Sequence, residues 1–406
     1  MKILQVNKYH YVKGGAERYY LDASRRLAAR GHELIPFAMQ DARNEPSPYA
    51  RHFVHGIDYR SRLSPLRKAR EALHAIYSVE TRRKVRALVA ETRPDVAHLH
   101  NIYHQLSPTV ILELARLGVP MVMSLHDYKV ICPGYLLMTH GEICERCKGG
   151  RFRNAFTHRC LLDSYPASAV GWIEATLHRR LRTYDRVARF LCPSQFLLEK
   201  FAAFGVARER LVHFPYFLPV EEYTPAYGAS DYFIYLGRLS REKGIATLLE
   251  ALRQRHGTRL TCRILGEGPL EADLKRRAAK WDLARVEFAG FQQGETLQRT
   301  IREAAFTVVP SEWFENLPFA VLESFALGTP VVGSRIGGIP EMVEHGDTGL
   351  TFTAGDPADL ARAIDWMEAR AADAIEMGRR ARLVLEARYA PEPHLERLER
   401  LYRRVL

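Results

Sequence analysis

The stretch Glu315-Asn316-Leu317-Pro318-Phe319-Ala-Val-Leu-Glu323 sets two carboxylates eight residues apart, across a loop and the start of a helix. Pro318 suits the first turn of that helix, where a missing N–H costs nothing. Glu315 then lies just before the helix N-terminus, and Glu323 about a turn and a half inside it. A helix N-terminus presents backbone N–H groups and a partial positive charge, which favour a phosphate or a polarised sugar hydroxyl. A carboxylate beside it accepts hydrogen bonds from vicinal hydroxyls. That is the chemistry a sugar-nucleotide site requires.

Other residues fit the same chemistry. Gly237-Arg238-Leu-Ser-Arg-Glu-Lys243-Gly244 follows a strand pattern and opens a helix pattern. Its glycines allow close backbone approach, Arg238 offers a planar fork of donors, and Lys243 offers a point charge for a pyrophosphate. Gly266-Glu-Gly-Pro269 ends the next strand, at the sheet edge where doubly wound folds bind ligands. Ser124-Leu-His126-Asp127 stands at another strand end, so His126 is read as facing a cleft. His98 and His100 share one face of a strand by its period of two, where core or supporting roles outweigh metal binding. His104 has no assigned role.

The elements that must carry these residues alternate between strand and helix, which implies parallel sheets covered on both faces. Strands are expected at 2–6, 34–37, 96–99, 120–125, 190–192 and 211–214, with an amphipathic helix at 16–29. A Pro- and Tyr-rich passage from 215 to 227 interrupts the pattern, and the alternation restarts with strand 232–236, loop 237–244, helix 245–253 and strand 260–265. Strands 307–309 and 330–332 flank the two-glutamate helix. Helical segments from about 357 close the chain, broken at Tyr389-Ala-Pro-Glu-Pro. The expected division is 1–215, a linker at 216–230, a second domain at 231–390 and a final helix at 391–406. Each domain is a Rossmann-like, doubly wound α/β unit.

The 406 residues exceed one ordinary core, and 47% hydrophobic with 26% charged residues describes a soluble globular protein. No apolar run approaches the roughly 18 to 20 residues of a membrane span. Met1-Lys-Ile-Leu-Gln-Val runs into a strand pattern without a cleavable signal, so a cytoplasmic location and reduced thiols are expected. The net charge of +12 is unevenly shared: residues 1–215 hold 34 Lys+Arg against 19 Asp+Glu, and the rest hold 25 against 28. The basic half suits anionic lipid, a pyrophosphate-bearing acceptor or nucleic acid.

Together, Arg238 with Lys243, Gly266-Glu-Gly-Pro269, and Glu315 with Glu323 resemble the donor half of family 4 glycosyltransferases. Gly14-Gly15-Ala-Glu17 is similar to that family's N-terminal loop beneath the donor phosphate, and Val331-Val-Gly-Ser-Arg-Ile-Gly-Gly-Ile-Pro-Glu341 to its downstream block. The resemblance covers nearly the whole chain. It implies the GT-B architecture, two Rossmann-like domains facing across a cleft, and transfer with retention of anomeric configuration and no catalytic metal. It also implies a nucleoside-diphosphate sugar donor and a glycan or lipid-linked acceptor. Arg238 and Lys243 would hold the diphosphate and Glu323 the ribose hydroxyls. Glu315 would lie near the donor sugar, assisted by backbone amides of Asn316, Leu317, Pro318 and Phe319. Gly14, Gly15 and Gly266 would line the donor, His126 would sit beside the reacting sugar, and the final helix would cross back to the N-terminal domain.

Cys132, Cys144, Cys147 and Cys160 lie in one insertion, at about 131–160, that interrupts the sheet pattern. Cys144-Glu-Arg-Cys147 has metal-ligand spacing, and one cysteine on either side completes a tetrahedral thiolate set for a structural zinc. Unlinked thiols or a redox pair are equally open, with His140 and His158 as reserve ligands. Similar insertions occur in a subset of the resembled family. Cys192 and Cys262 read as small buried apolar residues.

Between Arg60 and Arg93 lie ten basic and three acidic residues, interleaved with Leu63, Leu66, Leu73, Ile76 and Val85. Such a surface can hold a protein against anionic lipid at the inner face of a membrane, or simply be a solvated helix face. A second run at 179–189 follows Trp172 and extends the patch. The rival readings are a sugar-nucleotide epimerase or hydrolase on the same fold, a phosphorylase, and a zinc-containing nucleic-acid-binding protein. Nucleic-acid binding gives no role to Glu315 and Glu323, so no nucleic-acid partner is expected.

Overall fold

A computed structural model describes residues 1–57, 64–255 and 259–406. The chain forms two compact units, one of Met1–Phe214 with Leu395–Leu406 and one of Pro215–His394.

Unit 1 runs β1 (Lys2–Val6), α1 (Gly15–Ala29), β2 (Glu33–Phe37), α2 (Pro65–Ile76), α3 (Val79–Thr92), β3 (Val96–Leu99), α4 (Thr109–Arg116) and β4 (Met121–Ser124). The insertion follows, with β5 (Met138–Thr139), β6 (Glu142–Ile143) and α5 (Arg153–Thr157). Then come α6 (Tyr165–Arg180), β7 (Arg189–Cys192), α7 (Gln195–Ala203) and β8 (Leu211–His213). The main sheet is parallel in the order β2-β1-β3-β4-β7-β8. Every residue of β3 and β4 is buried, as expected of strands with helices on both faces. Serine hydroxyls cap four of the helices: Ser64, Ser78, Ser164 and Ser194 accept from the N–H groups of Arg67, Thr81, Ala167 and Leu197.

Unit 2 runs β9 (Tyr232–Leu236), α8 (Ile245–Gln254), β10 (Thr261–Leu265), α9 (Glu271–Lys280), β11 (Val286–Gly290), α10 (Gly294–Arg302) and β12 (Thr307–Val309). It continues with α11 (Phe319–Ala326), β13 (Val331–Ser334), α12 (Ile339–Met342), β14 (Gly349–Phe352), α13 (Pro357–Ala369) and α14 (Ala371–Arg388). Its sheet is also parallel, in the order β11-β10-β9-β12-β13-β14. In each unit the chain winds to one side of its first strand and then crosses to the other. The crevice outside the carboxyl ends of the two strands at that reversal is the natural ligand site of a doubly wound sheet. The reversals fall between β1 and β3, and between β9 and β12.

The Pro- and Tyr-rich passage is packed onto unit 2. Leu218 N–H donates to Tyr389 O at 3.0 Å, the Arg382 guanidinium donates to Tyr223 O at 3.0 Å, and the Tyr216 ring stacks on Phe319. The last helix, α15 (Pro391–Val405), places Leu395, Leu398 and Tyr402 in a core with Ile3, Leu27, Val96 and Leu191 of unit 1. There Arg30 and His32 both contact Glu399, at 2.8 and 3.0 Å.

The basic stretch is less free than its composition implies. Arg82, Arg86 and Arg116 converge on Glu113, a carboxylate of α4 that is fully buried, at 2.8, 2.8 and 2.6 Å. Arg51 pairs with Glu91. Arg60, Arg62 and Leu63 lie outside the described residues. On the surface of α2, Arg67, Lys68 and Arg70 accompany Leu66 and Leu73, which are 83% and 67% exposed, and Arg83 and Arg93 are exposed further along. In the second basic run Arg182 pairs with Asp185, and Arg179 lies against Gly150 and the Phe152 ring of the insertion.

Burial alone would raise the Glu113 carboxyl, but hydrogen bonds from Arg86, Arg116 and Arg82 lower it to about 2. A carboxylate held below its unfolded value contributes stability above that value and loses it as pH falls toward the folded one. Glu113→Gln should therefore cost about 1 to 3 kcal/mol near neutral pH. The gap between variant and wild type in urea melts should shrink steadily between about pH 4.5 and pH 2.

Candidate functional site

In unit 2 the loop after β9 and the loop after β12 meet at the reversal of strand order. Gly237 N–H donates to Leu265 O at 3.0 Å and Leu239 N–H to Glu267 O at 2.9 Å, which fixes the first loop against residues 266–270. Glu312 N–H donates to Glu242 O at 2.9 Å, and Thr247 Oγ1 donates to Glu312 Oε1 at 2.5 Å. These bonds bring Lys243 and Glu315 together. Lys243 Nζ lies 2.6 Å from Glu315 Oε1 and 5.1 Å from the Trp313 ring centroid. Ser311 Oγ donates to the same carboxylate oxygen at 2.7 Å.

Glu315 is 5% exposed, and its backbone is fixed as firmly as its carboxylate. Its carbonyl accepts from Gly338 N–H at 2.7 Å. Gly337 has φ of 61°, and a Cβ there would stand 2.3 Å from Glu315 O and 2.5 Å from Glu315 N. Only glycine combines that conformation with that approach. Gly266 is constrained in the same way, with φ of 131° and a Cβ position 2.0 Å from Gly237 O.

Pro318, with extended backbone, is the N-cap of α11 rather than its first residue, so Glu323 is the fifth helical residue. Pro318 has no N–H, so the assisting amides are narrowed to those of Asn316, Leu317 and Phe319. Asn316, Leu317 and Glu323 are all buried, at 6%, 4% and 8% exposure. Arg238 is exposed, and among the described residues its guanidinium has no carboxylate partner. The site thus holds one cation already paired and one available. Sequence reasoning missed Ser311, Trp313 and the Gly337–Gly338 contact to Glu315. Of these, only the glycine pair leaves a visible signal.

In unit 1 the corresponding strand ends gather histidines. His126 Nε2 lies 3.0 Å from His100 Nδ1, and the two rings stack at 5.3 Å. His100 Nε2 contacts Gln5 Oε1 at 3.0 Å, and His98 stacks on His100 while bonding Tyr402 and Ser124 at 2.7 and 2.8 Å. If Gln5 accepts through its oxygen, His100 donates from Nε2 and accepts at Nδ1. His126 then donates from Nε2, which makes its Nδ1 an acceptor. Burial, then the Lys8 charge, holds His126 far below the usual imidazole value, so it is neutral at pH 7. His98 and His100 therefore orient His126 and do not form a metal pair. His104 is likewise held neutral by burial and by Lys129.

Gly14 is the N-cap of α1 and Gly15 its first residue. Glu17, buried two residues on, is raised chiefly by burial, against the pull of Lys8 and Lys13. Among the described residues, His55, His74 and Glu80 place ligand atoms within 4.8 Å of one another. His55 contacts Glu80 and Glu71, while His74 contacts Gln105 O and Ser78, so both imidazoles have partners on both nitrogens. That cluster is a hydrogen-bonded seam between α2 and α3.

The family model described as "Glycosyl transferase 4-like domain" matches residues 14–216, half of the chain, and "Glycosyl transferases group 1" matches residues 222–384. The chain belongs to the family 4-like glycosyl transferases. It is 33% identical over 162 residues to the amylovoran biosynthesis glycosyltransferase AmsK of Erwinia amylovora, a match covering 38% of this chain and 40% of AmsK. It is 28% identical over 397 residues to the D-inositol 3-phosphate glycosyltransferase of Pseudarthrobacter chlorophenolicus, covering 91% of this chain and 85% of that protein. The crystal structure of Anabaena Alr3699/HepE in complex with UDP and glucose superposes with a TM-score of 0.69 at 17% identity, covering 99% of both chains. That likeness shows a shared GT-B fold of two Rossmann-like units.

Within this glycosyl transferase family member, Gly337 is the residue on which the Glu315 backbone depends. Gly337→Ala should cost about 1 to 3 kcal/mol of stability, the usual scale for a non-glycine residue forced into strained backbone. Chemical denaturation with separate reporters for the two units should localise that loss to unit 2.

Proposed function

We propose that the chain is a retaining glycosyltransferase that moves a hexose-type sugar from a nucleoside diphosphate to a glycan or lipid-linked acceptor. The observation that carries this reading is the Lys243–Glu315 pair at the strand-order reversal of unit 2, with Arg238 in the same loop as Lys243 and the α11 N-terminus following Glu315. Breaking a sugar–diphosphate bond builds negative charge on the leaving group and positive charge on the sugar ring. Arg238, Lys243 and the helix-end N–H groups are the groups that would hold the diphosphate. The charge they supply makes a catalytic metal unnecessary to the proposal. Glu323 is assigned to the ribose hydroxyls, and Glu315 to the donor sugar with the amides of Asn316, Leu317 and Phe319.

Glu315 is a poor nucleophile in this setting. One of its oxygens already contacts an ammonium and a hydroxyl, which withdraw electron density. The geometry therefore favours attack of the acceptor hydroxyl from the leaving-group face. In that step the acceptor oxygen bonds the anomeric carbon, the sugar–oxygen bond to phosphate breaks, and the acceptor proton passes to a diphosphate oxygen. Gly14 and Gly15 are assigned to the donor phosphate, and neutral His126 to a sugar hydroxyl. AmsK is named for amylovoran biosynthesis and HepE was crystallised with UDP and glucose, which supports a biosynthetic glycan pathway and a nucleotide donor. No helix among the described residues is long and apolar enough to cross a membrane. Peripheral contact at the cytoplasmic face is assigned to the exposed Leu66, Leu73, Arg67, Lys68 and Arg70 of α2.

Titration calorimetry with UDP, GDP and ADP tests the donor assignment. One nucleotide should bind preferentially, and Glu323→Ala and Arg238→Ala should each weaken it about 10- to 100-fold, the cost of one charged hydrogen bond. Unchanged affinity in Glu323→Ala would remove it from the ribose role. Release of nucleoside diphosphate with no glycosylated product from any acceptor would favour a hydrolase.

A further inference from the structure

The insertion of unit 1 brings four cysteines together from three segments. Cys132 opens the turn Cys132-Pro133-Gly134, Cys144 and Cys147 follow the β5–β6 hairpin, and Cys160 follows α5. His140 and Gly141, with φ of 52° and 89°, form the two-residue loop that folds β6 back on β5. Cys144 N–H then donates to Leu137 O at 2.8 Å, which returns the chain toward the Cys132 turn. A Cβ at Gly134 would lie 3.5 Å from Cys160 Cβ and 3.9 Å from Cys132 Sγ. Cys132 and Cys147 are buried, and Cys144 and Cys160 are half-buried.

Each sulfur also faces a donor. The backbone N–H groups of Gly134 and Leu137 are directed at Cys132, and that of Ala155 at Cys147. Thr139 Oγ1 donates to Cys160 Sγ at 3.4 Å, and the Arg146 guanidinium to Cys144 Sγ at 3.6 Å. A neutral thiol is a weak acceptor, whereas a metal-bound thiolate is oriented by such outer donors. The segment also lacks a core of its own. Leu137, Phe152 and Ala155 are buried, but Tyr135, Ile143 and Leu162 are exposed. A small fold of this kind needs a staple.

We propose that Cys132, Cys144, Cys147 and Cys160 bind one zinc ion as a structural tetrathiolate site. A redox role suits the pair Cys144 and Cys147 poorly, because a reactive thiol is exposed and acidified while Cys147 is buried. His140 Nε2 bonds His158 O at 2.9 Å and His158 Nδ1 bonds Asn154 O at 3.0 Å, and the four thiolates complete a tetrahedral set without either imidazole. No three of the sulfurs lie within 4.8 Å of one another, so ligation requires the cysteine side chains to close in around the ion. The ion would fix the hairpin, the Cys144–Cys147 turn and α5 to the Cys132 turn. Lys129 and Glu174, both buried, pair just before that turn and tie its entry to α6.

Elemental analysis of the full chain, purified without chelator, tests the proposal. One zinc per chain is expected, and replacement by Co²⁺ should give the charge-transfer and ligand-field bands of a tetrahedral cobalt–thiolate centre. Cys144→Ser and Cys147→Ser should each lose most of the metal, while Cys192→Ser, outside the insertion, should keep it. Wild-type chain that is free of zinc and shows no thiolate band with Co²⁺ overturns the proposal, whether or not the variants fold. So does full zinc retention in both serine variants.

Discussion

A buried carboxylate must be satisfied, and the arrangement of unit 2 around its strand-order reversal follows from how Glu315 is satisfied. Removing a charge from water costs several kcal/mol unless a counter-charge and hydrogen bonds replace the solvent. Lys243 supplies the charge from the loop after β9, and Ser311 supplies a hydroxyl from the loop after β12. Gly338 N–H takes the Glu315 carbonyl, which draws in the loop after β13. Three strand ends are thus pinned to one residue. The parallel sheet supplies the placement, because all its strands end on the same side.

The same logic organises unit 1 with different chemistry. Its strand ends meet through imidazoles, with His98, His100 and His126 stacked in series and the last two held neutral largely by burial. A neutral, oriented imidazole can hold a hydroxyl without adding charge beside a developing cation. The basic residues of this unit are mostly committed to structure, as the three arginines on Glu113 illustrate. Net charge therefore overstates the electrostatic surface available to a partner.

Much of the architecture was legible because strand, loop and helix alternate cleanly. The strands at 2–6, 96–99, 232–236 and 307–309 lie where β-branched and apolar runs place them. Four strands escaped notice for physical reasons: β5 and β6 of the insertion are only two residues long, and two more lie in the sheet of unit 2. β11 is a half-exposed edge strand with Glu287 exposed at its second position, so it lacks the continuous apolar signal of a buried strand. β14 begins at Gly349, where a Cβ would stand 2.0 Å from Val331 O, so a close backbone approach reads as loop chemistry. At the site, charged residues and glycines announce themselves, whereas Ser311 acts by a hydroxyl turned onto Glu315 and Trp313 by a ring beside Lys243 of another loop, contacts that only the fold reveals. The committed state of Lys243 was equally invisible, because pairing is a property of geometry.

The central claim is that the loops after β9, β10 and β12 form one nucleotide-holding surface built around Glu315. Hydrogen–deuterium exchange with and without saturating UDP, GDP or ADP tests it most directly, since ordering by a ligand slows amide exchange where it binds. The account predicts that one nucleotide slows exchange jointly in residues 237–244, 266–270 and 311–319. Protection confined to unit 1, or none with any of the three nucleotides, would contradict it.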